Sequence, residues 1–266
     1  MGDITIGQYY PADSLLHRLD PRVKFVGTIL YIASLFVCRS WGYLVAAVFL
    51  AVMIILSKVP FKYMIRGLRG IFFILLFTVV LNLFLTPGTV IWQWKALKIT
   101  EEGLHTASVM AVRLVLLILG ASLMTLTTTP NKLTNAMEYL FRPLNKIHVP
   151  VHEIAMMMSI ALRFIPILME ETEKIKRAQM ARGADFESGG VIRRVKAMVP
   201  LLVPLFISAF RRANDLALAM EARCYHGGDG RTQMKPLVYA RTDYIAYAVA
   251  FAFLAVIIVM RVLWGM

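Results

Sequence analysis

Nothing in this sequence is equipped to hold a nucleotide. It has no P-loop, no glycine-rich phosphate-binding motif and no Ser/His/Asp set. The chain therefore has no evident means of binding or hydrolysing ATP, and no enzymatic chemistry is expected of it. Cysteine is nearly absent: Cys38 and Cys224 stand alone, with neither metal-ligand nor redox spacing. The topology argued below puts them on opposite sides of a bilayer, so no internal disulfide is expected. His148 and His152, at i and i+4 with no third ligand, read with Glu153 as the dressing of a helix start, not as a metal site. No resident cofactor is expected. Base-stacking and zinc motifs are missing too, so the net charge of +13 is not read as nucleic-acid binding. The first twenty residues are polar, carry Asp3, Asp13 and Asp20, and lack the pattern of a cleaved secretory leader. Insertion is expected to rely on the first membrane helix, uncleaved.

What the chain has in quantity is apolar length. Of 266 residues, 59% are apolar, and the mean hydropathy is +0.67. Soluble domains lie nearer half apolar, so this is a membrane protein. Asp20-Pro21 caps the first helix, with Pro at its first position. Two apolar runs follow, Val23–Cys38 and Trp41–Leu56, split by Arg39-Ser40. At 16 residues each they reach roughly 24 Å, against ~30 Å for a bilayer core. They span as a tight hairpin only if Lys24 and Lys58 snorkel; a single interfacial helix is the alternative. Ser57–Gly70 reads as a basic loop and Ile71–Thr86 as a third span, ended by Pro87-Gly88. Residues 89–100, TVIWQWKALKIT, alternate and predict a short strand-like excursion, with Trp92 and Trp94 at the outer interface. Thr100 caps a fourth span that runs to about Met124, with Glu101 and Glu102 in its first turn. Asp243–Leu263 is the fifth. Segments 1–24, 57–70 and 127–242 hold 24 of the 29 Lys and Arg, which places them and the N-terminus in the cytoplasm.

The predicted fold class is all-α: a polytopic membrane protein with about five transmembrane helices and a cytoplasmic coupling domain of long amphipathic helices. Residues 1–126 form the N-terminal segment and spans one to four, 127–242 the coupling domain, and 243–266 the last span. Within 127–242, Thr129-Pro130 starts a short amphipathic helix with Leu133, Met137 and Leu140 or Phe141 on one face. Two long helices follow, 151–183 and 191–224, separated by the ADFESGG turn and closed by Gly227-Gly228 and Gly230. Each begins apolar and ends charged. Such a helix satisfies both halves by lying along the membrane face, apolar side up. Two ordinary spans with cytoplasmic tails are the alternative. Pro166, Pro200 and Pro204 are expected to bend them.

The two long helices end alike, at Ala181-Arg182-Gly183 and Ala222-Arg223-Cys224. A cation in a last turn favours the helix dipole by about 0.3–1 kcal/mol, and each arginine alone needs no more explanation. The repeated Ala-x-x-Ala-Arg pattern raises a second reading: small neighbours admit another backbone, and guanidinium pairs bidentately with carboxylate. Two similar ends imply two similar partners. The run Met156-Met157-Met158, with Met169, Met180, Met198 and Met220, fits a surface adaptable to several apolar partners. Gap-filling in a helical core explains it equally. Arg113, inside the fourth span, is either functional or paired within the bundle, for example with Asn82 or Thr78.

Nearly the whole chain resembles the transmembrane T-component of energy-coupling factor (ECF) transporters, the EcfT family. The resemblance is carried by GQYYPADSLLHRLDPR near the N-terminus, TEEGL before the fourth span and TTTP at its exit. ALRFIP, the Ala181-Arg182-Gly183 end and AMEARCY complete it. The second end departs from the family pattern, with Cys224 where Gly is commoner. The resemblance implies two separate cytoplasmic ABC-type ATPases, which bind ATP, and a small integral-membrane substrate-binding S-component. Together they import vitamins or transition-metal ions. Ala181, Arg182, Gly183, Ala222, Arg223 and Cys224 are then expected to dock the ATPases. Met156, Met157, Met158, Met169, Leu201 and Leu205 are expected to face the S-component. The expected location is the cell membrane, in contact with the lipid bilayer. A membrane enzyme acting on lipid head groups and a self-sufficient secondary transporter are the other classes weighed. The first would need a carboxylate cluster for metal, and the cytoplasmic acids are scattered. The second would need paired repeats and broken mid-membrane helices.

Overall fold

Local signals in the sequence set most helix starts in the computed structural model. It describes residues 9–39, 41–94, 97–186, 190–228, 234 and 236–264. Lys95, Gly230 and part of the 184–190 turn lie outside the described residues, as do the side chains of Trp92 and Trp94. Ser14 caps the short α1 (Leu15–Arg18). Asp20 caps α2 (Pro21–Val37), its carboxylate accepting the Arg22 N–H at 2.8 Å. Next come α3 (Gly42–Ser57) and α4 (Phe61–Leu85). The expected excursion is an antiparallel hairpin of β1 (Val90–Trp94) and β2 (Leu97–Thr100), in register Gln93 to Lys98. Thr100 caps α5 (Glu101–Thr127), its hydroxyl accepting the Gly103 N–H at 3.0 Å. After α6 (Pro130–Phe141) and a 3₁₀ turn (Arg142–Ile147) come α7 (Val151–Ala181), α8 (Val191–Ala222) and α9 (Arg241–Trp264).

Packing divides the chain into two units, residues 1–136 with 237–266, and residues 137–236. In the first, α2, α3, α5 and α9 share a core. The Tyr31, Phe49 and Phe253 rings stack there, with Phe49 and Phe253 centroids 4.1 Å apart. Leu35, Ala46, Leu116, Leu119, Leu123 and Ile257 are buried around them. One end of this bundle is closed by a polar clasp. Arg22 and Asp20 form a 2.8 Å ion pair whose side chains are 1% and 4% exposed. The Asp20 N–H donates to Asp243 Oδ1 at 2.9 Å, tying α2 to α9, and Arg22 stacks 3.7 Å from the Tyr239 ring centroid. Cutting one side of a buried pair costs about 3–5 kcal/mol, because the other charge is left without compensation.

Three described helices are long and apolar enough to cross a membrane: α5, α7 and α9. α4 makes a fourth if its arms, Phe61–Leu68 and Gly70–Leu85, form one span; they meet at a 56° bend. The bend falls where Gly67 and Gly70 lower helix stability. α2 and α3, at 17 and 16 residues, fall short on their own. Two expectations are corrected. The basic stretch Phe61–Gly70 is helical, because Pro60 starts the helix and Lys and Arg favour it as well as apolar residues do. Arg113 does not pair with Asn82 or Thr78, whose amide and carbonyl bond each other within α4. Its guanidinium instead donates to the Tyr43 hydroxyl of α3 at 2.9 and 2.5 Å, with the Phe36 ring 5.8 Å away. On α6, Met137 and Phe141 are exposed, while Thr134 and Ala136 are buried.

Candidate functional site

In the second unit α7 and α8 form an antiparallel pair. Glu171 meets Arg212 at 3.3 Å, and eight residues further along α7 the Gln179 amide meets α8 at Pro200. The second contact has a covalent cause. A helical carbonyl normally accepts the N–H four residues on, and Pro204 has none. The Pro200 carbonyl is thereby released from the ladder, and Gln179 Nε2 donates to it at 3.3 Å. Pro166 likewise leaves the Leu162 carbonyl without its helical partner. Both helices run on through their prolines. At the start of α7, His152 pairs with Glu138 at 2.8 Å.

The two Ala-Arg-X ends adopt one geometry. Arg182 is the C-cap of α7 at φ −88°, ψ 6°, and Arg223 the C-cap of α8 at φ −93°, ψ 15°. After Arg182, the Gly183 N–H donates to the Met180 carbonyl and the Ala184 N–H to the Gln179 carbonyl, both at 3.0 Å. After Arg223, the Cys224 N–H donates to Glu221 at 2.8 Å and the Tyr225 N–H to Met220 at 3.0 Å. Both are Schellman turns, which use up the last helical carbonyls. The next residue must be left-handed. Gly183 takes φ +86° freely, whereas Cys224 is held at φ +54°, at roughly 1–2 kcal/mol for a residue with a Cβ. Ala181, Arg182, Gly183, Ala222, Arg223 and Cys224 are all exposed.

Each long helix also carries an exposed apolar stripe at helical spacing. On α7 it comprises Ile154, Met157, Met158, Ala161 and Ile165. On α8 it comprises Val199, Leu202, Val203, Phe206, Ile207 and Phe210, with Phe206 62% and Phe210 67% exposed. Of the predicted apolar contact residues, Met157 and Met158 lie on these stripes. Met156, Met169, Leu201 and Leu205 are half-buried beside them. Sequence reasoning missed Leu202, Phe206 and Phe210; their i, i+4, i+8 spacing carried the signal.

These features define a multi-pass, all-α membrane protein with a separate unit built on two long antiparallel helices. Comparison with known proteins adds its family. The family profile CbiQ, described as cobalt transport protein, matches residues 12–234. The energy-coupling factor transporter transmembrane protein EcfT of Clostridium kluyveri is 54% identical over 266 residues, 99% of this chain and 98% of its own length. The EcfT of Thermosediminibacter oceani is also 54% identical, over 99% of this chain and all of its own. That of Bacillus subtilis is 50% identical over 245 residues, 91% of this chain and 92% of its own. The chain belongs to this family, the transmembrane T-components of ECF transporters.

Proposed function

We propose that this chain is the scaffold and coupling subunit of an ECF-type importer, and that it performs no chemistry itself. Two cytoplasmic ABC-type ATPases dock on it, one at Arg182 and one at Arg223. The observation that carries this reading is the pair of matched, exposed Schellman caps, each presenting an arginine between small residues. A guanidinium at a helix end enters a partner's groove and pairs with a carboxylate there; such desolvated pairs act as hot spots. When ATP binding and hydrolysis change the spacing of the ATPases, the caps move with them and carry α7 and α8 along. The exposed apolar stripes, with Met157 and Met158 at their centre, hold a membrane-embedded S-component. Their displacement reorients or releases it, and its cargo enters the cell. The cargo is a vitamin or a metal ion; the cobalt in the family's description supports the second. α7 and α8 lie along the cytoplasmic membrane face in the cell membrane, with the N-terminus on the same side.

Arg182→Glu and Arg223→Glu test the docking role. Each should abolish ATPase association or ATP-driven uptake while leaving membrane insertion intact. Normal uptake in the double variant would refute it.

A further inference from the structure

The arm of α4 before its bend, Phe61–Leu68, is sorted into three faces. One is bolted to the bundle. Met64 is fully buried, Leu68 packs against the core, and the Tyr63 ring lies 5.0 Å from that of Tyr10. Gly67 lets α4 close on α5, since a Cβ there would sit 2.8 Å from the Ser122 hydroxyl. These contacts fix the rotation of the arm, so the other two faces are set as well. Phe61 and Ile65, one turn apart, form an apolar edge, 56% and 47% exposed. Lys62 and Arg66, each one residue further round, form a basic edge, and both are exposed. Lys58 joins them from the turn before. Its neighbours Ser57 and Val59 are buried, its backbone is left-handed at φ +56°, and its side chain stands exposed between them.

The charge of this basic edge is not balanced among the described residues. No acidic residue lies between Asp20 and Glu101 in the sequence. Asp13 is the carboxylate whose field reaches Lys58, and Arg18 already holds both of its oxygens at 2.8 Å. The Arg66 guanidinium lies 5.3 Å from the Tyr63 ring centroid, against a ring and not an acid. An apolar edge beside a basic one suits a helix lying in a membrane interface, its apolar side in the acyl boundary and its cations at head-group level. A basic helix bound for an acidic protein needs no such edge, and here the edge runs on past the bend into the exposed Phe72 and Phe73. With Gly70–Leu85 along the bilayer normal, the 56° bend lays the arm nearer the membrane plane than the normal. We infer that Phe61–Leu68, with Lys58, is an interfacial arm that binds anionic phospholipid. Phe61 and Ile65 enter the acyl boundary, while Lys58, Lys62 and Arg66 hold head-group phosphates. Each such cation near an anionic surface is worth about fivefold in affinity. This inference does not depend on ATPase docking.

The test uses the full chain in nanodiscs of equal parts phosphatidylglycerol and phosphatidylcholine. A photoreactive phenylalanine analogue replaces either Phe61 or Phe77, which is exposed further along α4, and lipid adducts are read by mass spectrometry. At Phe61, phosphatidylglycerol adducts should exceed phosphatidylcholine adducts by about fivefold or more. At Phe77 the two should be about equal. Lys62→Gln with Arg66→Gln should remove the excess at Phe61 and leave the ratio at Phe77 unchanged. Ile65 carries the probe if the chain probed at Phe61 does not fold. A lack of lipid adducts at Phe61 and Ile65, with normal labelling at Phe77, overturns the interfacial arm. Equal adducts of the two lipids at Phe61 overturn the anionic assignment, and an excess that survives the double variant overturns the role of the basic edge. Illumination in cells before purification should again give lipid adducts; crosslinks from Phe61 to a protein chain in their place overturn the lipid as occupant.

Discussion

The two units bury their apolar residues in opposite ways. In the bundle, rings stack, Leu35 and Ala46 are sealed, and even the Asp20–Arg22 pair is almost fully enclosed. In the long-helix unit, Met157, Val203, Phe206 and Phe210 stand exposed, and the described polar links between α7 and α8 are partly open to solvent. A bundle of the first kind has one arrangement, because every buried charge and ring has an assigned neighbour. A pair of helices of the second kind has surface to spare for other chains, and little internal cost for sliding or splaying. The contrast fits the proposed division of labour between a fixed mount and a coupling part.

Four substitutions break or sharpen that contrast. The largest effect is expected from Arg182→Glu with Arg223→Glu, measured as loss of ATP-driven uptake at unchanged expression. The bundle should stay as stable as before. Next comes Asp20→Ala, which removes a cap and takes the paired carboxylate away from the buried Arg22. It should lower stability by about 3–5 kcal/mol, read as a fall in the unfolding temperature of the purified chain. If ATPase association survives in the folded fraction, the two units act separately. Gln179→Ala leaves the Pro200 carbonyl without its donor and should cost about 0.5–1.5 kcal/mol. Local hydrogen exchange in α8 around Pro204 should rise, with no change in the bundle. The smallest effect, in the other direction, is expected from Cys224→Gly. Relief of the left-handed strain should stabilise the end of α8 by about 1 kcal/mol, seen as slower exchange of its last amides.

The features legible in the sequence are those settled within a few residues. Asp20-Pro21 and Thr100-Glu101-Glu102 mark helix starts because a cap reaches only two or three residues. The alternating stretch before Thr100 does pair as a hairpin. The likeness of the two Ala-Arg-X ends is likewise local, and both form the same turn. What could not be read depends on packing. Asp20 and Asp243 meet across 223 residues, and Arg113 finds Tyr43 across 70. No periodicity announces either contact. The start of α4 was hidden for another reason: hydropathy reports where lipid can be, whereas helix formation tolerates Lys62, Arg66 and Arg69. The apolar stripe of α8 runs through Leu202 and Phe206, not Leu201 and Leu205. One residue is about 100° of rotation, and only the neighbouring helix decides which side stays covered.

Cys224 has a practical consequence as well. The sequence has two thiols; Cys38 is buried, and Cys224 is exposed beside one of the two matched arginines. The wild-type protein therefore carries its own attachment point for a fluorophore or spin label, at one end of the pair and not at the other. Without engineering, events at Arg223 can be followed while Arg182 stays dark, and whether the two ends work together or by turns becomes a question of timing.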